Sequence, residues 1–315
     1  MLVITGPGQG SQTPGFLAPW LEQPGVRERA EALSDVVGID LVAHGTSSDE
    51  ETIKDTAVAQ PLIVAAGLLA FPTLFEGAAD LSLVGALAGH SVGEITAAGA
   101  AGVLSDDAAM AFVRERSQGM AAASAAQPTG MSAVLGGDPD EVLATIRRHG
   151  LTAANINAKG QVVAAGTLDQ LAALAADPPD RARVIALKVA GAFHTSHMTP
   201  ALDRLTALAT TITPNDPYVT LVSNADGQVV DNGAEILHRL VNQVTNPVRW
   251  DLCSATFATL GVTGLIELPP AGTLAALAKR AIPGIEILAL KSPDDLDAAR
   301  RMVREHGSPP AAEEG

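Results

Sequence analysis

A Gly-x-Ser-x-Gly pattern at residues 89–93 constrains the fold of this 315-residue chain more than any other feature of its sequence. The apolar run 82–88 before it predicts a buried strand, and the alanine-rich run 94–104 after it predicts a helix. A serine at such a junction is typical of a nucleophile elbow, in which a sharp turn lifts the hydroxyl clear of the sheet. Free N–H groups at the start of the helix would face an oxyanion formed there. We therefore predict that Ser91 is a nucleophile in an α/β fold.

Strand-like and helix-like segments alternate through most of the chain. The predicted strands are 2–5, 82–88, 218–223, 264–268 and 286–290, and the clearest predicted helices are 25–37, 106–123, 200–211 and 273–281. Alternation of this kind predicts a mostly parallel sheet with helices on both faces. Together with the elbow, it indicates a large α/β-hydrolase-like domain.

Residues 130–189 break this alternation. They read as strand (131–135), helix (139–149), strand (151–157), strand (162–166), helix (168–176) and strand (184–189), which is the βαββαβ order of a ferredoxin-like unit. We expect a ferredoxin-like small domain over 127–190, inserted into a catalytic domain formed by 1–126 and 191–306, with a disordered tail at 307–315. Six basic and six acidic residues balance within 127–190, so the net charge of −15 belongs to the rest of the chain.

The bulk composition argues against several classes of protein. A formal charge of −15 disfavours nucleic-acid binding, which needs concentrated Lys and Arg. The longest apolar stretch, 57–75, is interrupted by Gln60, Pro61 and Pro72, which favours a buried core helix over a membrane span. No leader precedes the first predicted strand, so we expect a cytoplasmic protein that does not bind membranes. Its one cysteine, Cys253, cannot form an internal disulfide and is expected to be a buried thiol.

A serine nucleophile needs a general base within hydrogen-bond reach. The chain has seven histidines; His90 is adjacent to Ser91 and is expected to point elsewhere, while four others lie in polar or helical surroundings and are expected at the surface. His194 and His197 remain, in a loop that follows the last predicted strand of the small domain. Loops between rigid elements are a usual place for catalytic groups. Spacing alone favours His194 only slightly over His197.

Four separated motifs then make the sequence recognisable: GPGQGSQ at 6–12, GHSVGE at 89–94, AFH at 192–194 and NPVRW at 246–250. In this order they resemble the motifs of malonyl-CoA:acyl carrier protein transacylases, across nearly the whole chain. The resemblance implies a ping-pong serine acyltransferase that moves a malonyl group from malonyl-CoA to the phosphopantetheine thiol of an acyl carrier protein. It also implies that no metal or redox cofactor is needed. Whether fatty acid biosynthesis, polyketide biosynthesis or both are served stays open.

The resemblance assigns roles to five residues of the reaction centre. Ser91 matches the acyl-accepting serine, and His194 matches its general base, which decides the choice against His197. A carbonyl of Gln243 matches the group that holds the other histidine nitrogen. The backbone N–H groups of Gln9 and Val92 match the oxyanion hole.

Two further residues match substrate contacts. Arg116 matches the arginine that binds the malonyl carboxylate, although from the residues alone Arg114 competes with it. Phe193 precedes the base in Ala-Phe-His, which in related acyltransferases accompanies selection of malonyl over methylmalonyl. The chain departs from the family pattern at Gly6, where phenylalanine is usual, and at 268–272, where Leu-Pro-Pro-Ala-Gly replaces a Gly-Pro-Gly turn. Both departures concern packing near the site more than its chemistry.

Two functions from other classes share part of this pattern. A serine hydrolase would also have the elbow and the histidine, and a non-catalytic carrier-binding module could keep the fold. Neither gives a reason to combine Ser91, His194 and Arg116 in one chain. If a carrier protein is the partner, its acidic surface should dock beside the neutral small domain, near Arg181 and Arg183.

Overall fold

The computed structural model describes residues 1–307, so the tail predicted at 307–315 lies, beyond Gly307, outside the described residues. The strands are β1 (Leu2–Gly6), β2 (Val84–Gly89), β3 (Thr129–Gly136), β4 (Thr152–Ala158), β5 (Gln161–Thr167), β6 (Ala182–Ala186), β7 (Leu221–Val222), β8 (Val229–Val230), β9 (Gly264–Glu267) and β10 (Glu286–Ala289). The α-helices are α1 (Ala18–Leu21), α2 (Val26–Val37), α3 (Leu41–Thr46), α4 (Thr56–Ala70), α5 (Gly93–Ala100), α6 (Asp106–Ala126), α7 (Pro139–Arg148), α8 (Leu168–Ala176), α9 (Leu202–Ala209), α10 (Gly233–Asn242), α11 (Trp250–Thr259), α12 (Thr273–Ala281) and α13 (Leu296–His306). Short 3-10 segments lie at Thr52–Lys54, Phe71–Leu74, Ala78–Leu83, Ser196–Ala201, Gln243–Thr245 and Pro293–Asp295.

The larger sheet has the strand order β10-β9-β1-β2-β7-β8. Its first five strands run parallel, and β8 pairs antiparallel with β7 at one edge. Side chains alternate between its two faces, so Leu2 and Ile4 pack into one apolar core and Val3 into the other. A parallel sheet buried on both faces is the predicted arrangement, and the predicted fold class is confirmed.

The smaller sheet has the order β4-β5-β3-β6, with every neighbouring pair antiparallel. Its elements follow the predicted βαββαβ order along the chain. Helices α7 and α8 cover one face through a cluster that includes Val134, Ile146 and Leu174. The predicted domain boundaries at 126/127 and 190/191 stay a prediction. The backbone N–H of Ile156 in the edge strand β4 donates to the carbonyl of Val248, just before α11, at 2.9 Å, and this contact connects the small sheet to the rest of the chain.

Several predicted element bounds differ from the structure for local reasons. The strand predicted at 218–223 shortens to β7, because the backbone N–H of Tyr218 instead donates to the carbonyl of Ala101 at 3.1 Å. The helix predicted at 200–211 begins as the 3-10 segment that contains Pro200, which has no N–H to donate, and becomes α-helical only at Leu202. The strand predicted at 184–189 is β6, which starts and ends earlier. Strand β8 is absent from the prediction.

The long apolar segment that starts at Thr56 is a core helix. Helix α4 and the 3-10 segment that follows it are long and apolar enough to cross a membrane by length and composition alone, but most of this stretch is buried inside the protein. Leu62, Ile63 and Val64 have no exposed surface and belong to the main apolar core. The predicted buried helix is confirmed, and so is the buried thiol of Cys253.

Candidate active site

Ser91 stands at a strained turn between β2 and α5. Its φ of 54° lies in the left-handed region, which costs a non-glycine residue energy and persists only where its surroundings enforce it. The two glycines of the pattern serve close packing: a Cβ on Gly93 would lie 2.1 Å from the carbonyl oxygen of Gly6, and one on Gly89 would lie 1.9 Å from that of Gly93. The same crowding accounts for Gly6 itself, since its Cβ would lie 2.6 Å from the Gly93 oxygen.

The side chain of Asn224 stabilises this turn through hydrogen bonds to its backbone. Asn224 follows β7, the neighbour of β2 in the sheet, and its Oδ1 accepts the backbone N–H of Ser91 at 2.8 Å. Its Nδ2 donates to the carbonyl of Gly89 at 2.5 Å, and its own backbone N–H donates to Glu94 at 2.8 Å. The sequence analysis missed Asn224. Its position at the carboxyl end of a parallel strand, where such sheets carry their sites, is a signal that could have indicated it.

His194 contacts the nucleophile directly. Its Nε2 lies 2.7 Å from Ser91 Oγ, and its Nδ1 lies 2.9 Å from the backbone carbonyl oxygen of Gln243. Because that carbonyl can only accept, Nδ1 carries the proton and Nε2 accepts from the serine hydroxyl. Burial, assisted by the nearby charge of Arg116, lowers the pKa of His194 to about 3. The imidazole is therefore neutral near pH 7, which is the protonation state that a general base requires.

The other histidines take no part in this contact. The backbone N–H of His197 caps a turn at Thr195 Oγ1, and His197 is absent from the residues that line the cleft beside Ser91. His90 does line that cleft, but its Nε2 is hydrogen-bonded to Asn157 Oδ1 at 2.9 Å. Of the four histidines expected at the surface, His238 is exposed; the other three, His44, His149 and His306, are half-buried, so that expectation is only partly right.

Arg116 is fully buried next to the serine. One terminal nitrogen donates to Ser91 Oγ at 3.1 Å and to Gln243 Oε1 at 2.8 Å, and the other donates to Gln60 Oε1 at 2.6 Å. Its Nε has no hydrogen-bond partner, and no salt bridge to Arg116 occurs among residues 1–307. Burial lowers the pKa of Arg116 to about 10, partly opposed by the Glu94 carboxylate. The site thus contains a buried cation whose hydrogen-bond acceptors are neutral.

Arg114, the competing candidate, lies elsewhere. It points away from the cleft, donates to the backbone carbonyl of Val36 at 3.0 Å and is partly exposed. Both arginines belong to α6, and the difference follows from the helical period: Arg116 is four residues from Phe112 and Met120, which are buried on the same face. That spacing was a usable signal for Arg116 in the sequence.

Glu94 and Gln243 form a second buried contact behind the serine. Gln243 Nε2 donates to Glu94 Oε2 at 2.5 Å and to the backbone carbonyl of Ser91 at 3.1 Å. Burial raises the pKa of Glu94 to about 7, against the lowering effect of its hydrogen bonds to Asn224, Ser223 and Gln243. The sequence analysis treated Glu94 only as the end of a motif and gave Gln60 no site role. The site contacts of Glu94 and Gln60 are to residues distant in the sequence, Gln243 and Arg116 respectively.

A cleft of about 250 Å³ opens over Ser91 between the small sheet and the loops of the large one. Gln9, Val92, Phe193 and His194 line its large-domain side. The small-domain side is lined by the strand residues Met131, Ala133, Asn155, Asn157, Gln161 and Val163 and by Leu187 and Val189. Within residues 1–307 the backbone N–H groups of Gln9 and Val92 have no hydrogen-bond partner. Of the predicted site residues, Gln9, Ser91, Val92, Phe193 and His194 line this cleft, whereas Arg116 and Gln243 are buried beside it and hydrogen-bonded to Ser91; their individual roles stay predictions.

Comparison with known proteins places this geometry in a family. Residues 5–299 match the model of the acyl transferase domain. The malonyl CoA-acyl carrier protein transacylase of Mycobacterium tuberculosis is 52% identical over 297 residues, which cover 94% of this chain and 98% of that protein. The chain belongs to the malonyl CoA-acyl carrier protein transacylase family.

Solved structures of malonyl CoA-acyl carrier protein transacylases have the same fold as this chain. The structure of the Mycobacterium tuberculosis protein superimposes with a TM-score of 0.92 at 51% identity, covering 95% of this chain and 99% of that one. A second structure, described as a type II PKS acyl-carrier protein in complex with its malonyl-transacylase, has a TM-score of 0.87 at 29% identity, covering 95% and 99% of the two chains. These transacylases match this chain across both of its sheets.

Proposed function

We propose that this protein transfers a malonyl group from malonyl-CoA to the phosphopantetheine thiol of an acyl carrier protein through an ester on Ser91. The observation that carries this proposal is the buried Arg116 guanidinium, 3.1 Å from the nucleophile and held by neutral amide oxygens. A buried cation of this kind favours an acyl group that brings a carboxylate, and malonyl does so. The names of the relatives, which share about half or less of the sequence, support the same substrate.

In the first half-reaction, Ser91 Oγ attacks the thioester carbonyl carbon while His194 Nε2 takes the hydroxyl proton. The negative charge that develops on the carbonyl oxygen is stabilised by the free N–H groups of Gln9 and Val92, and one such donor typically contributes about 2.7–4 kcal/mol to catalysis. As the carbon–sulfur bond breaks, the imidazolium returns the proton to the leaving sulfur. CoA departs as its thiol, and the malonyl ester of Ser91 remains.

In the second half-reaction the same groups act on the carrier's thiol. His194 removes the thiol proton, the sulfur attacks the ester carbonyl, and Ser91 leaves as its hydroxyl with the proton from the imidazolium. Every step uses side chains and backbone groups of this chain together with its two substrates. That no cofactor is needed is therefore part of the proposal, as is a place in fatty acid biosynthesis and, where carrier proteins are shared, in polyketide biosynthesis.

The Ser91→Ala variant tests the route. It should form no covalent malonyl adduct, because the activated hydroxyl that Arg116 and His194 contact is gone. Intact-mass measurement after mixing with malonyl-CoA detects the adduct, and Ser11→Ala, which removes a hydroxyl that is hydrogen-bonded to Thr273 Oγ1 at 2.8 Å, is the control. With wild-type enzyme, transfer to a carrier thiol should outpace hydrolysis. An adduct on the Ser91 variant, or water as the preferred acceptor, would contradict the proposal.

The Arg116→Ala variant tests carboxylate selection. An unpaired charge in a buried site costs roughly 3–5 kcal/mol, so kcat/KM for malonyl-CoA should fall about a hundredfold to several thousandfold. Acetyl-CoA should be used as well as before or better, because a buried cation that lowers the pKa of His194 is removed. The preference between the two thioesters should therefore invert. Arg114→Ala, on the same helix but with its hydrogen bond to Val36 and not to Ser91, should leave this preference unchanged. An effect of Arg114→Ala with none of Arg116→Ala would reverse the assignment.

Phe193 is proposed to limit the size of the acyl group. It lines the cleft beside His194 and is only 7% exposed, so a methyl group on the malonyl C2 carbon would compete with the ring for space. Overpacking of this kind costs about 1–3 kcal/mol. Phe193→Ser should therefore raise kcat/KM for methylmalonyl-CoA relative to malonyl-CoA. If the ring only packs the loop, the melting temperature should fall while the ratio of the two thioesters stays as it was.

The carrier protein is proposed to dock at the outer edge of the small sheet. In β6, Arg183 and Ile185 pair with Leu135 and Ala133 of β3, so they share the face that lines the cleft, and Leu187 continues it. Ile185 and Leu187 are each 38% exposed, and Arg183 is exposed beside them. A stripe that is apolar and basic suits an acidic carrier, which the rest of this acidic chain would repel.

Charge reversal separates this docking face from the rest of the small domain. Arg183→Glu should raise KM for the carrier protein and leave KM for malonyl-CoA unchanged. Arg148→Glu, a charge reversal at an exposed arginine of α7 on the opposite face of the small sheet, is the control and should alter neither constant. Steady-state kinetics with the carrier as the varied substrate supplies the measurement. An equal rise of KM for the carrier in both variants would show that docking does not occur on this face.

A further inference from the structure

Glu94 is enclosed behind the nucleophile, and the proposed reaction gives it no task. Its side chain is 2% exposed and lies on the first turn of α5, three residues after Ser91. One carboxylate oxygen accepts the backbone N–H of Asn224 at 2.8 Å, and the other accepts Gln243 Nε2 at 2.5 Å. Both oxygens therefore face donors, one of which is fixed in the backbone.

The second donor belongs to an amide whose orientation matters for Arg116. Gln243 Oε1 accepts from the Arg116 guanidinium at 2.8 Å, while Gln243 Nε2 points to Glu94 and to the carbonyl of Ser91. Turning this amide over would set its NH2 group against the N–H groups of the guanidinium, donor against donor. The ionised form of Glu94, which prevails above its pKa of about 7, can only accept, so it holds the amide with the oxygen toward the arginine.

We propose that Glu94 is a positioning residue for selection of the carboxylate-bearing acyl group, an inference that rests on the proposed function. It fixes the side-chain amide of Gln243, and that amide in turn orients the guanidinium of Arg116 beside Ser91. His194 Nδ1 donates its hydrogen bond to the backbone carbonyl of Gln243, which does not turn with the side-chain amide. Acyl transfer and carboxylate selection are therefore separable at Glu94.

The Glu94→Gln variant keeps the shape of the side chain but has only one acceptor oxygen. Because the backbone N–H of Asn224 cannot turn, we expect the introduced oxygen to stay there and the introduced NH2 to face Gln243. The amide of Gln243 then turns over or loses its partner. Because a buried donor then lacks its partner, the preference for malonyl-CoA over acetyl-CoA in single-turnover formation of acyl-Ser91, measured above pH 7, should fall about fivefold to a hundredfold. Acylation by acetyl-CoA should change little.

A double-mutant cycle shows whether Glu94 acts through Arg116. Adding Glu94→Gln to Arg116→Ala should leave the malonyl-to-acetyl ratio of the single Arg116 variant unchanged, since the group that Glu94 positions is already absent. Glu94→Asp is the second variant if Glu94→Gln does not fold. A shorter carboxylate with both acceptor oxygens should lower the ratio severalfold in the wild-type background and not in the Arg116→Ala background.

Glu267→Gln is the matched control for the loss of a buried carboxylate. Glu267 has no exposed surface and accepts backbone N–H groups at the start of α12, away from Gln243. The Glu267→Gln variant should have a lower melting temperature but an unchanged malonyl-to-acetyl ratio. The positioning role would be overturned if the Glu94 variants lost activity equally with malonyl-CoA and acetyl-CoA. It would also be overturned if Glu94→Gln lowered the malonyl-to-acetyl ratio as much in the Arg116→Ala background as in the wild type. Failure of the wild-type enzyme to form a malonyl ester would instead overturn the proposed function.

Discussion

The guanidinium of Arg116, buried and held by two neutral amide oxygens, is the interaction on which the rest of the site depends. Removing a charge from water is costly, and hydrogen bonds from Gln60 and Gln243 offset only part of that cost. Because the Glu94 carboxylate acts on Arg116 without a direct hydrogen bond, the cation keeps its attraction for a second anion. A carboxylate on the acyl group would supply charge-assisted, two-point hydrogen bonds that the amides cannot. The group that would select the acyl carboxylate and the groups that would carry out the acyl transfer therefore lie within hydrogen-bond distance of the same serine hydroxyl.

The fold keeps this cation rigid. Helix α4 packs against α6, which places Gln60 beside Arg116, and the sulfur of Met120 accepts the other end of the Gln60 amide. In the large sheet, the carboxyl ends of the neighbouring strands β2 and β7 bring Ser91 and Asn224 together, as parallel sheets generally do with their sites. The strained backbone of Ser91 persists because its N–H group is hydrogen-bonded to Asn224 and because the flanking glycines admit close backbone contact.

The sequence predicted the architecture well because each strand and helix carries its own local pattern. The elbow, the parallel sheet and the inserted βαββαβ unit were all predictable from apolar runs and turn residues. The residues of the site were harder to predict from the sequence. Spacing hardly separated His194 from His197, since their difference lies in how the loop after β6 returns to Gln243. Glu94 and Asn224 were missed because their partners come from distant segments, which no local pattern reports.

The most direct test of the account is a crystal structure of the malonyl ester, obtained with malonyl-CoA in the absence of carrier protein. The account predicts that both carboxylate oxygens lie about 2.7–2.9 Å from the guanidinium nitrogens of Arg116, in place of its present contact with Ser91 Oγ. It also predicts that Gln243 Oε1 still faces the arginine and that the ester carbonyl oxygen faces the N–H groups of Gln9 and Val92. A carboxylate that points to solvent or pairs with another cation, with Arg116 still bound only to amides, would contradict it.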